Sequence, residues 1–196
     1  MAQGLLGLRE AGERREATIL AARVRGFSAF SEETPPGVVF ETLDVYLRAL
    51  AEAVLAEGGL VDTLSGDGVL AVFGVLPGAG PSGVQAVRAA TRVGQAVRDV
   101  RTGTERVSPG TFHATAGIAS GPVALSVVRG QGSRIVNAVG YRVDLAARLE
   151  RQARPWEVVI DSETFGQLGE GRAGFQRLPV TGADLTEPAG AYSRIL

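Results

Sequence analysis

Asp67 stands in Ser65-Gly66-Asp67-Gly68, between two apolar runs at 60–64 and 69–73. A carboxylate there either shapes a tight turn or reaches toward a cation. Asp144 and Arg148 are four residues apart, which puts them on one face of a helix. They can pair with each other, or Arg148 can turn to an anion such as a phosphate. Arg25-Gly26-Phe27-Ser28 reads as a loop before a helix. A glycine there allows close backbone approach to a phosphate, and a helix N-terminus favours negative charge. The alternative is a turn that only packs Phe27 into the core. His113 falls in an expected strand and reads as structural. A serine-histidine-aspartate triad through Ser28 has no support from spacing.

What is missing narrows the chemistry further. The 196 residues contain no cysteine, which removes thiol nucleophiles, disulfides and thiolate-bound zinc. One histidine excludes a multi-histidine metal site within one chain. All 20 basic residues are arginine, so a Schiff base and a lysine-containing P-loop are excluded as well. The only asparagine is Asn137. A net charge of −1 offers no broad basic face for a nucleic-acid backbone and no polybasic membrane anchor. No apolar run approaches the ~18 residues of a membrane span. The charged start lacks the apolar run of a secretory signal. These features give an expectation of a cytoplasmic chain with a linker at 1–16 and one domain at 17–196.

The elements that must position these residues follow from periodicity. Residues 17–24 read as a short buried strand, and Pro35-Pro36 marks a helix start. Apolar residues from 38 to 57 keep helical spacing up to Gly58-Gly59. The runs around Asp67 form a β-hairpin. Residues 84–100 predict a second amphipathic helix. Residues 112–119 and 123–128 read as an antiparallel pair turning at Ser120-Gly121-Pro122, with a further extended segment at 133–139. A helix at 143–153, a strand at 156–160, a short helix at 162–168 and two weak strands in the tail complete the chain. Strands and helices do not alternate strictly, so the expected class is α+β: an antiparallel-rich sheet with helices packed on one face.

Four segments in register resemble the catalytic domain of class III adenylate/guanylate cyclases: 13–20 with 25–28, 58–74, 117–123 and 139–150. The resemblance spans about 15–165. It implies a palm-like, ferredoxin-type βαββαβ core, head-to-tail dimers and two composite sites between protomers. In active members it implies two strand aspartates holding two divalent metals, a lysine–aspartate pair selecting adenine, and an asparagine and an arginine from the other protomer acting on the transition state. The chemistry would be attack of the ribose 3′-oxygen on the α-phosphorus with loss of pyrophosphate.

Two of those six positions keep their residue type: the second metal aspartate falls on Asp67 and the arginine on Arg148. The first metal aspartate falls on Arg23, a permanent cation that cannot ligate one. Arg23 is either a surface arginine or a partner of Asp67 standing in the metal's place; we expect an Arg23–Asp67 contact. The selectors fall on Thr63 and Asn137, either a neutral pair or plain strand residues. The transition-state asparagine falls on Asp144, an anion facing a triphosphate. The sequence therefore points to a degenerate cyclase homology domain without resident Mg²⁺ or Mn²⁺. Its expected role is that of a dimerising signalling module, as a homodimer or beside a cyclase domain, with a nucleotide or a partner at the old cleft. The alternative is an active or residual adenylate/guanylate cyclase that uses those metals.

Overall fold

A computed structural model describes residues 12–76, 80–103, 112–130, 133–178 and 190–196. Strand β1 (Glu13–Arg25) leads through the short helix α1 (Phe27–Glu33) into α2 (Pro36–Ala56). The hairpin β2 (Leu60–Ser65) and β3 (Gly68–Phe73) follows, then α3 (Ser82–Gly103). Next come β4 (His113–Gly130), β5 (Ser133–Val139), α4 (Tyr141–Gln152), β6 (Glu157–Asp161) and α5 (Ser162–Gln167). A 3₁₀ turn (Gly169–Arg172), β7 (Gln176–Arg177) and β8 (Ala191–Ile195) close the described chain.

The sheet runs β2-β3-β1-β4-β6-β8-β7, with β5 paired to β4. Its first four strands have the ferredoxin-type order, and every pairing except β4–β6 is antiparallel. The α+β class is as expected. Alternation along β1 divides the core. Leu20, Ala22 and Val24 pack with Tyr46 and Leu50 of α2 and with Ala90 and Val93 of α3. Ile19 and Ala21 join Leu145, Ala146 and Leu149 of α4, which covers the opposite face.

Three sequence expectations need correction. The linker does not reach residue 16, because β1 begins at Glu13, which pairs with Leu125; residues 1–11 lie outside the described chain. The segment 25–28 is not a plain loop, because Phe27 and Ser28 open α1. The expected turn at 120–122 is absent: β4 is a single strand of 18 residues. Gly121, at φ 139, takes a backbone conformation other residues resist, so the strand can run on through it. The ladder to β1 continues through Gly121↔Ala17 and Pro122↔Glu16. On its other edge β4 pairs β6 at 115–118 and β5 at 124–130, and Pro122 falls in the gap. Its missing N–H therefore breaks no ladder bond there.

Trp156, the only tryptophan, has φ 63 just before β6. Its ring lies under the guanidinium of Arg98 at 4.5 Å and that of Arg101 at 5.3 Å. Its carbonyl accepts the Leu196 N–H at 2.7 Å, and Arg98 donates to the Leu196 carbonyl at 2.6 Å. Among the described residues no helix is long and apolar enough to cross a membrane.

Candidate functional site

A cavity of about 170 Å³ opens where the end of β1, the β2–β3 hairpin and α4 meet. Arg23, Thr63, Ser65, Gly68, Glu150 and Arg151 line it. The hairpin is held against β1 by the Arg23↔Gly68 register and by Val24 N–H donating to the Asp67 carbonyl at 2.8 Å. That bond aims the Asp67 side chain back along β1, so Arg23 Nε lies 3.5 Å from Asp67 Oδ1. The expected contact is present. Arg23 is half exposed, so its ion pair is worth at most about 1 kcal/mol, and its importance lies in position.

Glu150 binds the cluster from below. It is 4% exposed and accepts from Arg25 Nη2 at 2.9 Å, Arg25 Nε at 3.1 Å and Thr115 Oγ1 at 2.6 Å. Arg23 Nε is 3.9 Å from its other oxygen. Sequence reasoning missed Glu150, although a signal was there. Leu145, Ala146 and Leu149 mark the buried stripe of α4, and Glu150 falls on that stripe four residues after Ala146. A carboxylate on an apolar stripe needs a buried partner, and Arg25 supplies it. The helix approaches β4 this closely because residue 117 is glycine: a Cβ there would lie 2.1 Å from the Ala146 carbonyl oxygen and 2.2 Å from the Glu150 nitrogen.

Arg25-Gly26-Phe27-Ser28 divides into separate tasks. Arg25 is committed to Glu150 and Thr115. Gly26 precedes α1 at φ 105. The Phe27 ring is buried, stacked on Phe112 at 4.9 Å and edge-on to Tyr46 at 5.8 Å. Ser28 is exposed. The packing alternative for Phe27 thus describes its side chain, and only its backbone is left for a ligand.

Thr63 and Asn137 are both exposed, on β2 and β5. Asp62, also missed, ties these strands together: its Oδ1 accepts the Ala138 N–H at 2.8 Å, while its Oδ2 accepts from Thr63 at 2.8 Å. The ladder irregularity between Val61 and Thr63 falls on this residue. Asp144 is exposed in the first turn of α4, and Arg148 is one turn further on, its guanidinium 5.4 Å from the Tyr141 ring. His113 pairs across from Arg25 in the β1–β4 ladder, at the strand's start.

Beside α4, Asp161 anchors a buried polar chain. It is 3% exposed, caps α5 by accepting the Thr164 N–H at 2.8 Å, and takes Arg142 Nη1 at 3.2 Å and the Ser120 N–H at 3.2 Å. Burial pushes its carboxyl above the ordinary carboxylate value; the Thr164 bonds, Arg142 and Ser120 pull it part of the way back.

The donor set does not fit the two-metal centre that the resemblance implies. Where two carboxylates are needed the cleft offers Asp67 and a guanidinium, and Glu150 is already taken by Arg25. No group of three or more metal-ligating side chains occurs among the described residues.

Comparison with known proteins places this geometry. The chain is 31% identical over 145 residues to an adenylate cyclase of Anabaena cylindrica, which covers 71% of this chain and 28% of that protein. It is 24% identical over 162 residues to the terminal-differentiation-specific adenylate cyclase of Dictyostelium discoideum, 79% of this chain and 7% of that one. The chain thus spans under a third of either relative. Among solved structures, the guanylyl cyclase Cya2 superposes with a TM-score of 0.79 at 25% identity, over 94% of this chain and 95% of that one. The guanylyl cyclase domain of a Blastocladiella emersonii fusion protein, described as a non-canonical dimer, superposes at 0.73 with 19% identity, over 95% and 96%. No protein-family model matches. The fold is that of the class III adenylyl/guanylyl cyclase catalytic domain. The chain itself is a class III cyclase homology domain.

Proposed function

We propose that this domain has lost the lyase reaction and works as a dimerising signalling module, with a nucleotide or a protein partner at the old cleft. The observation that carries this reading is the Arg23 guanidinium beside Asp67, at the position the resemblance gives to a metal-binding carboxylate. Loss of one metal ligand removes several kcal/mol of transition-state stabilisation, about 10³-fold in rate or more. Asp144 adds an anion where a neutral amide would meet the triphosphate. Dimerisation is supported by the described dimer of the Blastocladiella relative. Exposed Leu64, Val139 and Tyr141, on β2, the end of β5 and the start of α4, support it too.

The test is turnover of ATP and GTP with Mg²⁺ and with Mn²⁺, alongside manganese calorimetry on Arg23→Asp. The expected result is no cyclic product from the native chain and a gain of manganese binding in the variant. Cyclic product that disappears in Arg148→Ala would overturn the reading and restore the residual-cyclase alternative.

A further inference from the structure

A second cavity, larger than the one in the cleft, lies elsewhere on the fold. It measures about 740 Å³ and lies between α3, the 169–172 turn and β8. That size is within the range of small-molecule sites, about 300–1,000 Å³. Its floor is apolar, from Val84 and Val87 of α3 and Leu168 after α5, the last two buried. Three arginines enter from the sides. Arg92 is tied to Glu57. Arg88 is exposed and has no ion pair among the described residues. Arg194 is part-buried; it donates to Thr91 Oγ1 at 3.1 Å and lies 4.8 Å from the Phe175 ring, and no carboxylate of the described chain pairs with it. Burial pulls its pKa below the usual arginine value, with no compensating anion. Held by one hydroxyl and one ring, this part-buried guanidinium keeps further N–H donors available for an anion. The rim also carries one exposed acid, Glu170.

We propose that this cavity binds a small amphipathic monocarboxylate, with its hydrocarbon body on Val84, Val87 and Leu168 and its carboxylate on Arg88 and Arg194. The planar donor fork of arginine matches a carboxylate. The apolar floor favours a carbon skeleton over a bare inorganic anion. The site is independent of the cleft, so its occupancy does not depend on how Arg23 is read.

Titration calorimetry with phenylbutyrate, its neutral counterpart phenylbutanol and inorganic phosphate tests the assignment on the full chain. Charge-assisted hydrogen bonds to two guanidiniums make the acid bind at least about tenfold tighter than the alcohol. Arg88→Gln and Arg194→Gln should each weaken the acid by about tenfold and leave the alcohol unchanged. Arg88 is exposed on α3, so its variant keeps the test valid even if Arg194→Gln fails to fold. Equal affinity for acid and alcohol, acid binding untouched by Arg88→Gln, or no acid binding at millimolar concentration would each overturn the proposal. Phosphate displacing phenylbutyrate at lower concentration would overturn the carboxylate assignment.

Discussion

Asp161 shows what one buried carboxylate does to the whole chain's response to acid. Its folded pKa is raised above the ordinary 3.8, chiefly by burial. The folded state therefore holds this proton more tightly than the unfolded chain does. Stability from this group is greatest below the unfolded pKa and falls as pH rises from about 4 through the raised value. Asp161→Asn removes that slope and replaces the ionic Arg142 contact with a neutral one, at a cost of about 2 kcal/mol at neutral pH. Urea melts of both proteins at closely spaced pH values should show the native midpoint declining across the window relative to the variant. Parallel curves would mean that Asp161 titrates as it does in the unfolded chain. The residues that carry the cleft's charge are partly legible in the sequence. Arg23 and Asp67 could be matched because both fall at fixed offsets in the family pattern, Asp67 keeping the expected type and Arg23 departing from it. Asp62 could not, because a bulge and a backbone N–H from another strand leave no mark in spacing.

Among the elements, α4 shows most clearly why sequence pattern finds a helix without finding its seat. Its apolar stripe was legible and its bounds nearly so. Its distance from β4 was not, because that rests on the missing side chain at Gly117. Gly117→Ala should push α4 away from the sheet and cost about 3 kcal/mol or more, a large overpacking penalty because the clash is with backbone. Chemical denaturation would register this as a lower midpoint, and loss of the Arg25–Glu150 contact would follow. A variant as stable as the native chain would contradict the observed approach. The long strand β4 taught the opposite lesson. Ser120-Gly121-Pro122 has turn composition, yet the change of partner on one edge of the strand lets all three stay in the ladder with β1. Local chemistry could not reveal that, because the relevant neighbours, β5, β6 and Asp161, come later in the chain.

At the scale of the whole molecule, the fold class followed from element order and the resemblance; β6 was legible as a strand, and its β8–β7 extension only as weak tail strands. The proposed dimer is the feature with the largest consequence here, because a single chain presents only half of each composite cleft in the arrangement the resemblance implies. Light scattering at tens of micromolar protein should report twice the chain mass, and Val139→Asp should shift it toward the single-chain mass without lowering thermal stability. A native chain that stays at single-chain mass under those conditions would remove the shared cleft from consideration. The lone Trp156 makes such work practical. Pinned under two guanidiniums and joined through its carbonyl to Leu196, the indole should emit differently once the β6–β8 margin loosens. With no other indole to mask it, one fluorescence channel can follow that margin separately from the rest of the sheet, giving the domain a built-in optical probe.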